Sequence, residues 1–131
     1  MVILVTLTAA TTIVLYTFLT YRPEPELDIV PLHLAILEVT LSPVNEVIVT
    51  IIVPTGVEVV FKDNSIIVEG ALIDQRILIF NYTGIVEKIT RHVIVYDPSR
   101  VKFEREVVLT ETTTVKLVNV FGIIRIIPIG G

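Results

Sequence analysis

The chain has 131 residues, with ten Lys or Arg against fourteen Asp or Glu and a formal net charge of −4. That balance offers no basic cluster to track phosphates and gives no reason to expect a nucleic-acid partner. The absence of cysteine excludes disulfides, thiolate metal sites and cysteine nucleophiles.

In chain order, the first element is a run from Met1 to Tyr21 without a charged side chain, followed at once by Arg22-Pro23-Glu24-Pro25-Glu26. About 20 residues at ~1.5 Å rise make a helix of ~30 Å, the thickness of a bilayer's hydrocarbon core or of a helical filament's centre. The run is rich in β-branched residues, so a strand has to be weighed. Neither parity of the run is polar, however, and a strand of that length is unusual. An α-helix over 1–22, apolar on every side, is therefore expected as a filament core or membrane span. Its candidate packing residues are Val2, Ile3, Leu4, Val5, Leu7, Ala9, Ala10, Ile13, Val14, Leu15, Phe18 and Leu19. The larger of these gain roughly 1.5–3 kcal/mol each from burial, ~15–30 kcal/mol together as an upper bound. Thr8, Ala9 and Thr12 make a small-residue face for close helix approach. No positive residue precedes the run, so it reads as a retained segment rather than a secretory signal.

Residues 23–31 read as a proline-rich neck, because Pro23 and Pro25 push their predecessors into extended conformations. Residues 32–131 read as strands separated by turn signals. Strands are expected at Leu32–Leu41, Val47–Val53, Val57–Phe61, Ser65–Glu69, Arg76–Tyr82, Ile89–Tyr96, Arg105–Thr110, Thr113–Val118 and Gly122–Ile127. Between them stand Ser42-Pro43, Pro54-Thr55-Gly56, Asp63-Asn64, Gly70, Thr83-Gly84 and Asp97-Pro98-Ser99. The expected fold class is α+β: a long apolar helix followed by an immunoglobulin-like antiparallel β-sandwich. Both parities are apolar in Ile77–Phe80 and Ile123–Ile127, which points to a buried central strand or to a sheet face covered by another subunit.

Candidate chemistry is sparse. His33 and His92 stand alone in strand-like patterns without the partner spacing a metal needs. Asp63, Asp74 and Asp97 lie near turns but lack the spacing of a calcium loop. There is no glycine-rich phosphate loop, nucleophile elbow or SxxK motif. No enzyme activity, cofactor or metal is expected. Thr110–Thr114 is a polar, threonine-rich stretch expected as a hairpin loop. Asn81-Tyr82-Thr83 is an N-x-[ST] acceptor before Gly84, so Asn81 is a candidate N-glycosylation site if the domain lies outside the cell.

The uncharged Val2–Tyr21, ending in Val14-Leu-Tyr-Thr-Phe-Leu-Thr-Tyr21 and followed by a compact β-domain, resembles mature archaeal type IV pilins and archaellins. The resemblance covers the whole chain as architecture and only residues 1–21 as sequence. Bacterial type IV pilins carry Glu as the fifth mature residue, whereas Val5 stands here, which favours an archaeal relative. The resemblance implies a leader removed by a prepilin peptidase, membrane insertion before assembly and a membrane assembly platform. It further implies an extracellular homopolymer with apolar segments bundled at its centre and β-domains outside, serving adhesion, with no need of nucleic acid. The alternative expectation is a bitopic membrane-anchored accessory protein, a minor pilin or archaellum stator-like component with an extracellular β-domain.

Overall fold

The computed structural model describes residues 24–42 and 46–130. The chain enters through β1 (Glu26–Leu27) and then forms α1 (Val30–Leu41). The Asp28 carboxylate accepts the Val30 N–H at 3.0 Å, Pro31 occupies the first turn where its missing N–H costs nothing, and the Ser42 N–H closes on the Glu38 carbonyl. Three strands follow: β2 (Glu46–Ile51), β3 (Glu58–Lys62) and β4 (Ser65–Glu69). After β5 (Leu72–Ile73) comes a 3-10 helix (Gln75–Phe80), opened by the Asp74 carboxylate accepting the Arg76 N–H. The remaining strands are β6 (Val86–Ile89), β7 (Val93–Tyr96), β8 (Lys102–Phe103), β9 (Val107–Leu109), β10 (Thr113–Val120) and β11 (Ile123–Gly130).

Among the described residues there are three sheets: a β1–β5 pair, a four-stranded sheet β2-β10-β11-β8 and a five-stranded sheet β6-β7-β4-β3-β9. The two larger sheets share one core. Val115, Leu117, Ile124 and Ile126 come from the four-stranded sheet, and Val59, Phe61, Ile66, Val68 and Ile94 from the five-stranded one. The Phe61 and Phe103 rings meet edge to face at 5.3 Å between them. α1 buries Leu32, Ala35, Ile36, Leu37 and Val39 into the same core. Its last turn is held to the end of β10, where the Asn119 side chain donates to the Val39 carbonyl at 3.0 Å.

These observations correct the expected fold class. Among the described residues the α-helical content is the short α1, and it occupies Leu32–Leu41, where a strand was expected. Arg76–Tyr82, also expected as a strand, forms most of the 3-10 helix, which buries Ile77 and exposes Leu78 and Ile79. The apolar excess of Ile77–Phe80 therefore covers no sheet face. The sheets are not purely antiparallel, since β1–β5 and β8–β11 pair in parallel. Among the described residues the architecture is thus not a long apolar helix with an immunoglobulin-like antiparallel sandwich, but mixed β-sheets with one short α-helix. The run from Met1 to Arg22 and its candidate packing residues, Val2 to Leu19, lie outside the described residues. No helix among the described residues is long and apolar enough to cross a membrane. β1 and the first two residues of α1, Val30 and Pro31, fall inside the stretch 23–31.

Candidate functional site

The domain has two poles, fixed by strand register. β2 leaves α1 at Glu46, opposite Val118, and ends at Ile51, opposite Thr113. β10 therefore runs from the pole where the chain enters to the pole where α1 ends, and seven steps of ~3.3 Å separate Thr113 from Val120 by ~23 Å. At the entry pole the Leu72 N–H donates to the Pro25 carbonyl and the Asp74 N–H to that of Leu27. Exposed ion pairs reinforce the attachment: Arg91 with Glu26 at 3.4 Å, and Arg76 with Asp28 at 3.5 Å and Asp74 at 2.7 Å. Hydrogen bonds from the Arg76 side chain and N–H hold the Asp74 carboxyl below its ordinary range.

Beside this attachment lies a groove of about 290 Å³ between the β1–α1 segment and the end of β2. Leu27, Ile29, Leu32 and Ile51 are buried beneath it. Ile52, Pro31 and Pro54 stand exposed on its rim together with Glu26 and Asp28.

The opposite pole carries the β10–β11 turn, Val120-Phe121-Gly122-Ile123. Both central residues have positive φ, 53° at Phe121 and 84° at Gly122, as a type I′ hairpin requires. Glycine adopts that conformation freely, while phenylalanine is strained there. The Asn119 side-chain oxygen accepts the Gly122 N–H at 2.9 Å and helps to hold the turn. Phe121 is fully exposed, and Val120 and Ile123 are each 42% exposed. Leu41, on the α1 turn that Asn119 holds, is exposed as well.

The structure places each residue singled out in the sequence. His33 lies on α1, not on a strand, and is completely buried. Its Nε2 is 2.8 Å from the Phe80 carbonyl and its Nδ1 2.8 Å from the Tyr96 hydroxyl. The carbonyl can only accept, so Nε2 carries the proton and Nδ1 accepts from the tyrosine, an assignment made from the network. Burial lowers the His33 pKa, with the Phe80 carbonyl opposing in part, and burial raises that of Tyr96. Both side chains are neutral and mutually satisfied, and they lock α1, the 3-10 helix and β7 together. His92 is exposed near Glu24, at 3.7 Å. Asp63 sits in the β3–β4 turn at φ 54°. Asp97 accepts from the Ser99 N–H and hydroxyl, which lower its pKa. No group of three or more His, Asp or Glu among the described residues is arranged to hold a metal ion. Thr112 accepts the Val53 N–H, and Thr114 pairs with Thr50 at 2.8 Å. Asn81, Tyr82, Thr83 and Gly84 form an exposed turn between the 3-10 helix and β6.

Sequence reasoning missed the hairpin tip and the groove. The tip had a signal, because two residues, the second of them glycine, separate two apolar strands. The groove had none, since it joins segments about 25 residues apart. Comparison of the chain with protein-family models, with curated proteins and with solved structures finds no match in any of the three.

Proposed function

We propose that the chain is a structural subunit of an extracellular pilus-type filament, with its uncharged leading run buried among copies of itself and the β-rich domain outside. The observation that carries this reading is the absence of any charged side chain from Met1 to Tyr21, while every Lys, Arg, Asp and Glu of the chain follows Tyr21. Such a run has to leave water, and identical runs packing by a contact that does not close generate an open helical polymer. The attachment at the entry pole supports the reading. Glu24–Leu27 are tied to the body by backbone hydrogen bonds and ion pairs, so whatever holds the run also orients the domain. The exposed turn at Asn81 suits a sugar on the outer surface of such an assembly. Adhesion is the role that fits a coat of identical exposed domains.

The test is to purify the full chain from the cells that make it, without detergent, and to image the particles. A regular polymer with the leading run at its centre is the expected result. Single copies held in a lipid bilayer by that run, with no polymer, would replace this reading by the membrane-anchored accessory protein.

A further inference from the structure

The 3-10 helix (Gln75–Phe80) leaves apolar surface in water at its C-terminal end. It buries Ile77 completely, while Leu78 is 46% exposed and Ile79 78% exposed. Tyr82, two residues beyond the helix, is 53% exposed. Asn81 stands between Ile79 and Tyr82 in the chain and opens the acceptor triplet Asn81-Tyr82-Thr83. The main chain here is fixed on both sides. The Asn81 N–H donates to the Leu78 carbonyl at 3.3 Å, and the Tyr82 carbonyl accepts the Ile85 and Val86 N–H groups. Asn81 and Thr83 are exposed, and neither the amide of the one nor the hydroxyl of the other forms a hydrogen bond among the described residues. We propose that Asn81 carries an N-linked oligosaccharide whose first sugars lie on Leu78, Ile79 and Tyr82, covering apolar surface that the polypeptide leaves bare.

The co-reactant is an oligosaccharide held on a lipid diphosphate, and a membrane transferase supplies the base. A bond forms from the Asn81 Nδ2 to C1 of the first sugar, and the bond from that C1 to the carrier's phosphate breaks. The amide gives one proton to the base, and the lipid diphosphate leaves with the electron pair. A pyranose ring has hydroxyls around its rim and C–H groups on its faces, so one face can lie on an aromatic ring such as Tyr82 while the rim stays hydrated. The acceptor itself selects this occupant, because it roots the sugar among the exposed apolar side chains and the pinned turn limits where the root can point. The inference rests on the extracellular placement in the filament reading and needs no polymer.

The full chain is made behind a cleavable secretory leader in glycosylating cells, with synthesis of the lipid-linked sugar either active or blocked, and is purified in detergent. That yields one polypeptide with and without the sugar. A sugar mass is expected on the peptide that contains Asn81, lost in Thr83→Ala and kept in Thr83→Ser. The sugar is expected to raise the folding equilibrium constant about tenfold in urea unfolding and to slow amide exchange across Leu78–Tyr82. In the double variant Ile79→Ser with Tyr82→Ser, both at exposed positions, the sugar should remain while its effect on that constant falls to about twofold or less. An Asn81 peptide without sugar in the active cells overturns the proposal. So does a sugar that leaves stability and exchange unchanged, or one whose effect survives the double substitution, since a sugar acting only on the unfolded chain needs no apolar surface. Filaments with an unmodified Asn81 would remove this inference and keep the filament reading. A sugar on single copies in a bilayer, with the stability difference present, would do the reverse.

Discussion

The buried His33–Tyr96 pair makes the domain's stability depend on pH in a window where few other groups act. His33 has a lowered pKa because burial disfavours its charged form, and its Nδ1 is occupied by the Tyr96 hydroxyl. The unfolded chain takes up a proton near pH 6.5, and the native state does not. Stability is therefore complete above pH 6.5 and falls as pH drops below it, at up to ~1.4 kcal/mol per pH unit for one proton, until the native pKa is reached. Asp74 and Asp97 have lowered pKa values instead, so their contribution is present above about pH 4 and is lost only below it. The two effects separate between pH 6.5 and 4.5. Urea unfolding of the full chain at a series of pH values reads the slope directly. His33→Gln can donate to Phe80 and accept from Tyr96 while lacking a titrating proton, so it is expected to keep most of the stability at pH 7 and to flatten the slope. His33→Leu leaves the Tyr96 hydroxyl and the Phe80 carbonyl buried without partners, at ~1–3 kcal/mol each. A flat profile for the natural chain between pH 7 and 4.5, or an unchanged slope in His33→Gln, would refute the assignment of a neutral, locked histidine.

Further outcomes are expected at five positions. Phe121→Asn replaces a strained residue with one suited to the left-handed region, so it should stabilise the fold by ~1 kcal/mol in denaturant unfolding. Gly70→Ala should be severely destabilising, by more than ~2 kcal/mol, because at φ 84° its Cβ would stand 2.3 Å from the Gly56 carbonyl oxygen. Gly84→Ala, at φ 92° with nothing within 4 Å of its Cβ, should cost only about 1 kcal/mol, and the contrast between the two separates collision from conformational strain. Asn119→Ala removes the donor to Val39 and the acceptor for Gly122, and should cost ~1–3 kcal/mol with faster amide exchange at Gly122. In glycosylating cells Asn81→Gln should remove a sugar mass from the peptide that contains it, and an unmodified natural chain would reject Asn81 as the acceptor.

Strands with one wet face were legible in the sequence, and elements with two apolar faces were not. Ser65–Glu69 reads directly as β4, because Ile66 and Val68 alternate with less buried positions between the Asp63-Asn64 turn and Gly70. α1 was hidden because its exposed stripe, Pro31, Leu34, Glu38 and Leu41, carries a single charge, so the 3.6-residue period is drowned by apolar residues on every side. The 3-10 helix was hidden for the same reason, since Ile77, Leu78, Ile79 and Phe80 are alike in sequence while only Ile77 is buried. Tertiary position decided both cases. The His33 pair was invisible because its partners are 47 and 63 residues away, and no local pattern marks a histidine for a distant tyrosine.

The residues that escaped notice for lack of periodicity are also those that leave apolar surface in water. Leu34 and Leu41 on α1, Leu78 and Ile79 on the 3-10 helix, and Phe121 at the tip are all exposed. Single residues such as Leu34 and Leu41 need no explanation, but Phe121 differs from the rest in adding backbone strain to exposure. Asn-Gly is the favoured pair for such a turn and lowers the energy of the same hairpin without touching its neighbours. Phenylalanine in the left-handed region therefore costs the domain stability that asparagine would restore. The direction of the Phe121→Asn result tests that strain: a gain in stability in denaturant unfolding is expected, whereas a loss would show that the phenyl ring contributes within the fold.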